Sequence, residues 1–295
     1  MYSVYKRTIF FLAVCALSAA PHALADQISA VAVKVPSGLS RSTLRVCADP
    51  NNLPFSDRRG AGFENELAKM LAADLGKPLT YTWWPQRRGF VRNTLNVGRC
   101  DLIMGVPAQY VQVRTTKAYY RSSYVFVTRH ERGLRIDSFD DPRLRSLKIG
   151  VHVVGDDSSN IPPAQALAMR GIIDNVRGYS LYGDYSKPNP PSELIDALAH
   201  SQIDVAIAWG PLAGYFARHA AARLDVTPLP AAMSSAALPM AFDIAMGVRL
   251  DDVRLQQAVD SFLERRRDDI ERVLKGYAVP LLRRPPTVQL AGDRS

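Results

Sequence analysis

The chain has 295 residues, with 37 Lys or Arg, 28 Asp or Glu, 5 His and 3 Cys, for a formal charge of +9. Hydrophobic residues make up 47% and charged residues 22%, which excludes a disordered or low-complexity polypeptide. Three cysteines without a CxxC and five histidines without an HExxH exclude a multi-ligand zinc or iron–sulfur site.

The N-terminus reads MYSVYKR, then an apolar run from Thr8 to Ala20, then Ala23-Leu24-Ala25 before Asp26. A cationic start, a short apolar core and an A-x-A site predict a signal peptide over residues 1–25. About 13 apolar residues are too few to cross a ~30 Å hydrocarbon layer. Val14 before Cys15 is wrong for a lipoprotein signal. Cleavage after Ala25 removes Lys6, Arg7 and Cys15, leaving 35 basic and 28 acidic residues and a charge of +7. Spread thinly, that charge suits an acidic partner and does not point to nucleic acid. Nothing later reaches about 18 uninterrupted apolar residues, so no membrane insertion is expected. Cys47 and Cys100 remain, and an oxidising compartment favours a disulfide between them. The alternative is two buried thiols whose strand register keeps them apart.

Residues 26–42 lack a clear period and are expected to form an extended segment. From Leu44 the chain alternates short apolar runs with amphipathic patterns. Leu44 to Ala48 reads as a strand ending at the turn-rich Asp49-Pro50-Asn51-Asn52. After Gly62, Phe63, Leu67, Met70, Leu71 and Leu75 form a helical stripe that Gly76 stops. Pro78 to Trp83 is the next strand, a helix follows over Arg88 to Asn96, and Leu102-Ile103-Met104 is a third strand. This βαβαβ order predicts a parallel sheet with helices on both faces. The pattern then repeats. Lys148 to Val151 is a strand, and Pro162-Pro163 and Pro190-Pro191 open helices, where a missing N–H costs nothing. Val205 to Ala208 is a strand running into a helix from Gly210, and Ala245 to Val248 is another. A final helix carries Leu255, Val259, Phe262 and Leu263 on one face. Asp251 and Asp252 lead it and Arg265-Arg266-Arg267 end it, matching the helix dipole.

The strings LRVCADPNNLPFS, GRCDLIMGVPA, YYRSSYVFV, LKIGV and DVAIAWGPLAGY resemble family 3 extracellular solute-binding proteins, which usually bind polar amino acids. YTWWPQRRGFVRNTL and GYSLYGDYSKPNPP resemble one subfamily more closely. It comprises the solute-binding-like proteins associated with quinoprotein (PQQ) methanol dehydrogenases, the MxaJ/XoxJ type. The resemblance runs from Leu44 to Pro280. It implies a type II periplasmic-binding-protein fold of two α/β lobes joined by two hinge strands. The crossings fall near Val125 to Arg129 and Pro239 to Asp243. Lobe one is then 43–127 plus 243–280, lobe two 128–242, and 281–295 a tail. The resemblance further implies a monomeric, non-enzymatic periplasmic protein without a cofactor. Its partner is a methanol dehydrogenase large subunit of the lanthanide type, in mature or apo form, with the dehydrogenase's cytochrome c as a second partner. The alternative is a receptor that delivers a small, non-amino-acid solute to an ABC importer.

Ligands or partners of such a fold engage the cleft at the carboxyl ends of the strands. The resemblance places Gln109 where amino-acid receptors carry the arginine that forks onto the α-carboxylate, and Trp209 where they carry the aspartate for the ammonium. Arg114, five residues late, is the nearest alternative arginine. Asp156, in the loop after Val151, would repel an anion. Asn52, Phe55, Trp84, Arg87, Arg88, Gln109, Tyr120, Asp156 and Trp209 are therefore the expected cleft or partner-binding residues. Arg87 and Arg88 open a helix against the dipole rule, which can mark a partner contact or an ion pair; the alternative is two solvated arginines. Asp49, Asn51, Asn52 and Asp57 are read as turn formers beside Pro50 and Pro54, not as metal ligands. Glu64 and Glu66 are placed on the polar side of their helix, and no catalytic set is found.

Overall fold

The computed structural model describes residues 35–154, 159–181, 185–230 and 233–283. The leader, Asp156 and residues 284–295 lie outside them. Buried apolar runs leave their backbone groups to be paired by neighbours, and the first three long runs do so in parallel. The chain runs through β1 (Leu44–Ala48), the short ribbon β2 (Asn51–Asn52) and β3 (Ser56–Asp57), α1 (Phe63–Asp74), β4 (Leu79–Trp83), α2 (Phe90–Asn93) and β5 (Leu102–Pro107). β1 lies between β4 and β5 and pairs parallel with both, Leu44 opposite Leu79 and Val46 opposite Leu102. Phe63, Leu67 and Leu71 of α1 are completely buried beneath them, each contributing roughly 1.5–3 kcal/mol. Asn65 holds the start of α1, its Oδ1 accepting from the N–H of Gly62 at 3.1 Å and of Asp57 at 3.0 Å. A Cβ on Gly62 would lie 2.0 Å from the Phe55 carbonyl oxygen, so only glycine lets the helix start beneath that turn.

α2 is a single turn, much shorter than the helix predicted over 88–96. Gly89, at φ 87°, puts a left-handed residue directly ahead of it. At its end the Thr94 hydroxyl donates to the Phe90 carbonyl at 2.6 Å, the kind of local bond that competes with helix continuation.

The chain continues through β6 (Arg114–Thr115), β7 (Tyr120–Arg129), β8 (Ile149–Val154), β9 (Ser159–Asn160), α3 (Pro162–Ala168), β10 (Val176–Ser180), α4 (Glu193–Ala199), β11 (Val205–Trp209), α5 (Gly210–His219), β12 (Leu224–Pro228), β13 (Ala241–Val248), α6 (Val253–Arg265) and α7 (Arg267–Gly276). A second parallel set, β10-β8-β11, matches the first. Among the described residues the long strands form one continuous path, β10-β8-β11-β7-β13-β5-β1-β4. β7 and β13 carry the crossing. Tyr120 to Ser123 pair with Ala241 to Ile244 of β13, whereas Tyr124 to Arg129 pair with β11 and β12. Arg121 and Asp243 tie the two crossing strands through a 2.6 Å ion pair.

Of the segment expected to be extended, residues 26–34 lie outside the described residues, and the described part is not extended throughout. Gly38–Ser40 is a 3-10 turn, and Gly38 donates to Asp252 Oδ2 at 2.8 Å. Asp252 also caps α6 by accepting from Leu255. Nearby, fully buried Asp101 takes a two-pronged bond from Arg45 at 2.7 Å and one from Arg249 at 3.0 Å. Burial pushes this carboxyl up, but the two guanidinium partners outweigh it and hold it below the usual range. At the other end, Leu282 donates to the Arg121 carbonyl at 2.9 Å, so the chain past residue 280 begins as an attachment to β7.

Cys47 of β1 and Cys100, just ahead of β5, are disulfide-bonded with Cα atoms 5.5 Å apart. Phe90, Val91, Leu95 and Val106 bury the bridge. It closes a separation of 53 residues, and the chain-entropy relation gives such a loop about 4 kcal/mol. We predict that Cys47→Ala with Cys100→Ala lowers the unfolding free energy by about 2–4 kcal/mol in denaturant titrations. Two titratable thiols in the unfolded, unreduced wild type would contradict the pairing.

Candidate functional site

The carboxyl ends of the two parallel sets converge on β7 and β13 around a cavity of about 160 Å3. Asn52 and Phe55 enter it from the turns after β1, Gln86 from the loop after β4, and Gly105 to Pro107 from the end of β5. Leu181 arrives from just beyond β10, Trp209 from the end of β11 and Leu212 from α5. Tyr120 and Ile244 come from the crossing strands themselves. Glu64, in the first turn of α1, supplies a carboxyl.

Glu64 is only 9% exposed, and among the described residues no donor reaches its carboxyl. A Cβ at residue 105 would stand 2.2 Å from Glu64 Oε1, so Gly105 is what lets the carboxyl lie against β5. The position near the helix N-terminus favours the ionised form by roughly 0.3–1 kcal/mol. Removing an unpaired carboxylate from water costs several kcal/mol, and burial wins. Glu64 is pushed up to about 8, first by burial and then by the negative charge of Asp49. Burial likewise pushes the Tyr120 phenol well above its ordinary value. This corrects the placement of Glu64 on the polar side of its helix: that side carries Glu64, Ala68 and Ala72, and all three are buried.

Asp49, 1% exposed, is saturated where Glu64 is not. It accepts from Asn51 N–H at 2.8 Å, Gln86 N–H at 2.7 Å and the Tyr185 hydroxyl at 2.6 Å. The last bond spans the cleft. Asn51 adds two more, donating to Lys187 O at 2.8 Å and accepting from Asn189 N–H at 3.3 Å. The Arg87 guanidinium stacks 5.1 Å from the Tyr185 ring. These contacts hold the turn after β1 against the 185–189 loop, and the cavity lies behind them.

Of the residues expected in the cleft, Asn52, Phe55, Tyr120 and Trp209 line the cavity together. Trp84, Arg87, Arg88 and Gln109 do not. Trp84 packs beside the disulfide cluster with the Arg99 guanidinium 5.1 Å from its ring. Arg87 and Arg88 are exposed, and Arg87 meets the Tyr185 loop. Gln109 is exposed on the loop after β5. Arg114 donates to Leu250 O at 2.7 Å on the far side of β13 and is no substitute. Asp156 lies outside the described residues. Asp57 closes its own turn, bonding Ala61 N–H and Arg59, as a turn former should. The carboxyl that sequence reasoning missed is Glu64. Its signal was the repeat 64, 68, 72, hidden because alanine reads as neither face.

Two sets of strand ends facing a cavity across two crossing strands define a solute-binding architecture. The model of the bacterial extracellular solute-binding proteins, family 3, matches residues 44–278, and the chain belongs to that family, in its MxaJ/XoxJ-type branch. It is 34% identical to Protein MoxJ of Methylorubrum extorquens (strain AM1) over 92% of this chain and 90% of the relative. It is also similar to the crystal structure of the periplasmic binding protein XoxJ from Methylobacterium extorquens AM1, with 37% identity, 82% of this chain and all of that one, and a TM-score of 0.68. MxaJ from Methlophaga aminisulfidivorans MPT matches with 25% identity, 81% of this chain and all of that one, and a TM-score of 0.69.

Between the unfolded value of 4.5 and the folded value of about 8, the folded protein holds a proton that the unfolded chain releases. The stability this carries is full below pH 4.5 and lost as pH rises through 8. We predict that Glu64→Gln gains on wild type by on the order of 4 kcal/mol between pH 5 and pH 8.5, at about 1.36 kcal/mol per unit. A pH-independent difference in denaturant midpoints would place Glu64 in the ordinary carboxylate range.

Proposed function

We propose that this protein is a periplasmic accessory protein that binds a PQQ-dependent methanol dehydrogenase and assists its maturation or activation. The observation that carries this reading is the cavity lining. Among the described residues it holds Phe55, Tyr120, Leu181, Trp209 and Ile244 but no basic side chain. An amino-acid ligand would set its carboxylate before Glu64 with no guanidinium among the described lining residues to receive it, an unpaired charge costing several kcal/mol. The likeness to MoxJ over nine-tenths of the chain supports a dehydrogenase partner. The apolar leader ahead of Asp26 supports export and a periplasmic site of action.

The lobes follow as 43–127 with 243–280 and 128–242, a division supported by the change of pairing partner along β7. Trp84 and Trp209 supply aromatic anchors of the kind that dominate interfaces. The exposed Arg87-Arg88 pair and the +7 charge of the exported chain speed the encounter with an acidic partner. One observation favours a second reading, that of a solute receptor for an importer: the strand-end cavity holds a largely buried carboxyl.

With wild-type protein immobilised, the dehydrogenase large subunit of the same genome, loaded or without quinone and metal, should bind at micromolar concentration. Association should be faster at low salt. In variants shown by circular dichroism to be folded, Trp84→Ala and Trp209→Ala should each weaken binding by about 2 kcal/mol. Arg87→Ala with Arg88→Ala should mainly slow association. Retention of neither form of the subunit would replace this reading with the solute receptor.

A further inference from the structure

We propose that the cavity at the strand ends binds a small organic monocation, an amine without a carboxylate, held by the Glu64 carboxylate and wrapped by Phe55, Tyr120 and Trp209. This goes beyond the accessory role and does not rest on it. Four observations converge. Glu64 is nine-tenths buried, faces the cavity and has no donor among the described residues. A carboxyl stripped of most of its water with no protein donor in its place is costly to keep ionised, and such groups mark functional sites. Second, among the described residues the one other carboxyl that acts on Glu64 is Asp49, already saturated by three donors. The field these residues set at the cavity is therefore negative, and none of the described lining side chains is basic.

Third, three aromatic side chains share the lining, and aromatic rings attract desolvated cations while covering hydrocarbon. Fourth, about 160 Å3 is roughly five times the 30 Å3 that one water occupies in the liquid. That leaves room for a small organic ion. The competing occupant is a neutral molecule with an acceptor oxygen, which would use Glu64 as a proton donor. Size does not separate the two; the proton does. A cation needs Glu64 ionised and expels its proton, whereas a neutral acceptor needs the proton kept.

The test is calorimetric titration of the whole exported chain with tert-butylammonium, its neutral isostere tert-butanol, and the anion pivalate. The cation should bind, and the alcohol and the anion should bind at least tenfold more weakly. Because Glu64 ionises near 8, cation affinity should rise at least tenfold from pH 6 to pH 8. Parallel runs in buffers of different ionisation enthalpy at pH 7 should register close to one proton released per ion bound. Glu64→Gln should cost at least thirtyfold in cation affinity. If that variant does not fold, the pH dependence and proton release of the wild type decide alone. Equal binding of tert-butanol, a pH-independent affinity, or no cation binding at about 10 mM, a threshold of about −3 kcal/mol, would overturn the proposal.

Discussion

Tyr120 to Ser123 pair with β13, and Tyr124 onward pair with β11 and β12. That switch of partner within one strand is the constraint on which the rest of the molecule depends. It forces the parallel sets β4-β1-β5 and β10-β8-β11 to share one sheet path while aiming their carboxyl ends at a common space. Parallel strands need their connections on the faces, so helices cover both sets and leave those ends as the place where loops gather. Tyr120 and Ile244 line the cavity because they sit on the crossing strands where the switch occurs.

The chemistry of that space follows from what is paired and what is not. Asp101 and Asp49 are as buried as Glu64, but each is saturated, Asp101 by Arg45 and Arg249 and Asp49 by two backbone N–H groups and a phenol. Glu64 alone of these three has no donor, and Gly105 keeps it against β5 where a side chain would have displaced it. With Trp209 at the end of β11 and Gln109 on the surface, the cavity offers a zwitterion no cationic handle among the described residues. It offers an acid surrounded by rings.

Much of this was legible in the sequence. The alternation of apolar runs with the 63, 67, 71 stripe announced strand, helix and strand, and the GRCDLIMGVPA and DVAIAWGPLAGY strings located the strands whose ends meet. Asn52, Phe55, Tyr120 and Trp209 were named for the cleft and line the cavity together. What was not legible was long-range or masked by small residues. The docking of Gly38–Ser40 on Asp252 joins positions more than 200 residues apart. α2 shrank because Gly89 turns left-handed, which composition alone does not impose. Glu64 looked solvated because a helix face marked only by alanines carries no hydrophobic signal. Its environment is set by β5 and by Asp49, neither of which is its neighbour in sequence.

The central claim is that the strand-end cavity is organised around an unpaired buried carboxyl. Carbon-13 NMR of side-chain carboxyls, with the Glu64 resonance assigned by its loss in Glu64→Gln, measures this most directly. The account predicts a titration midpoint near 8 in the free protein. A midpoint in the ordinary carboxylate range, near 4.5, would contradict it.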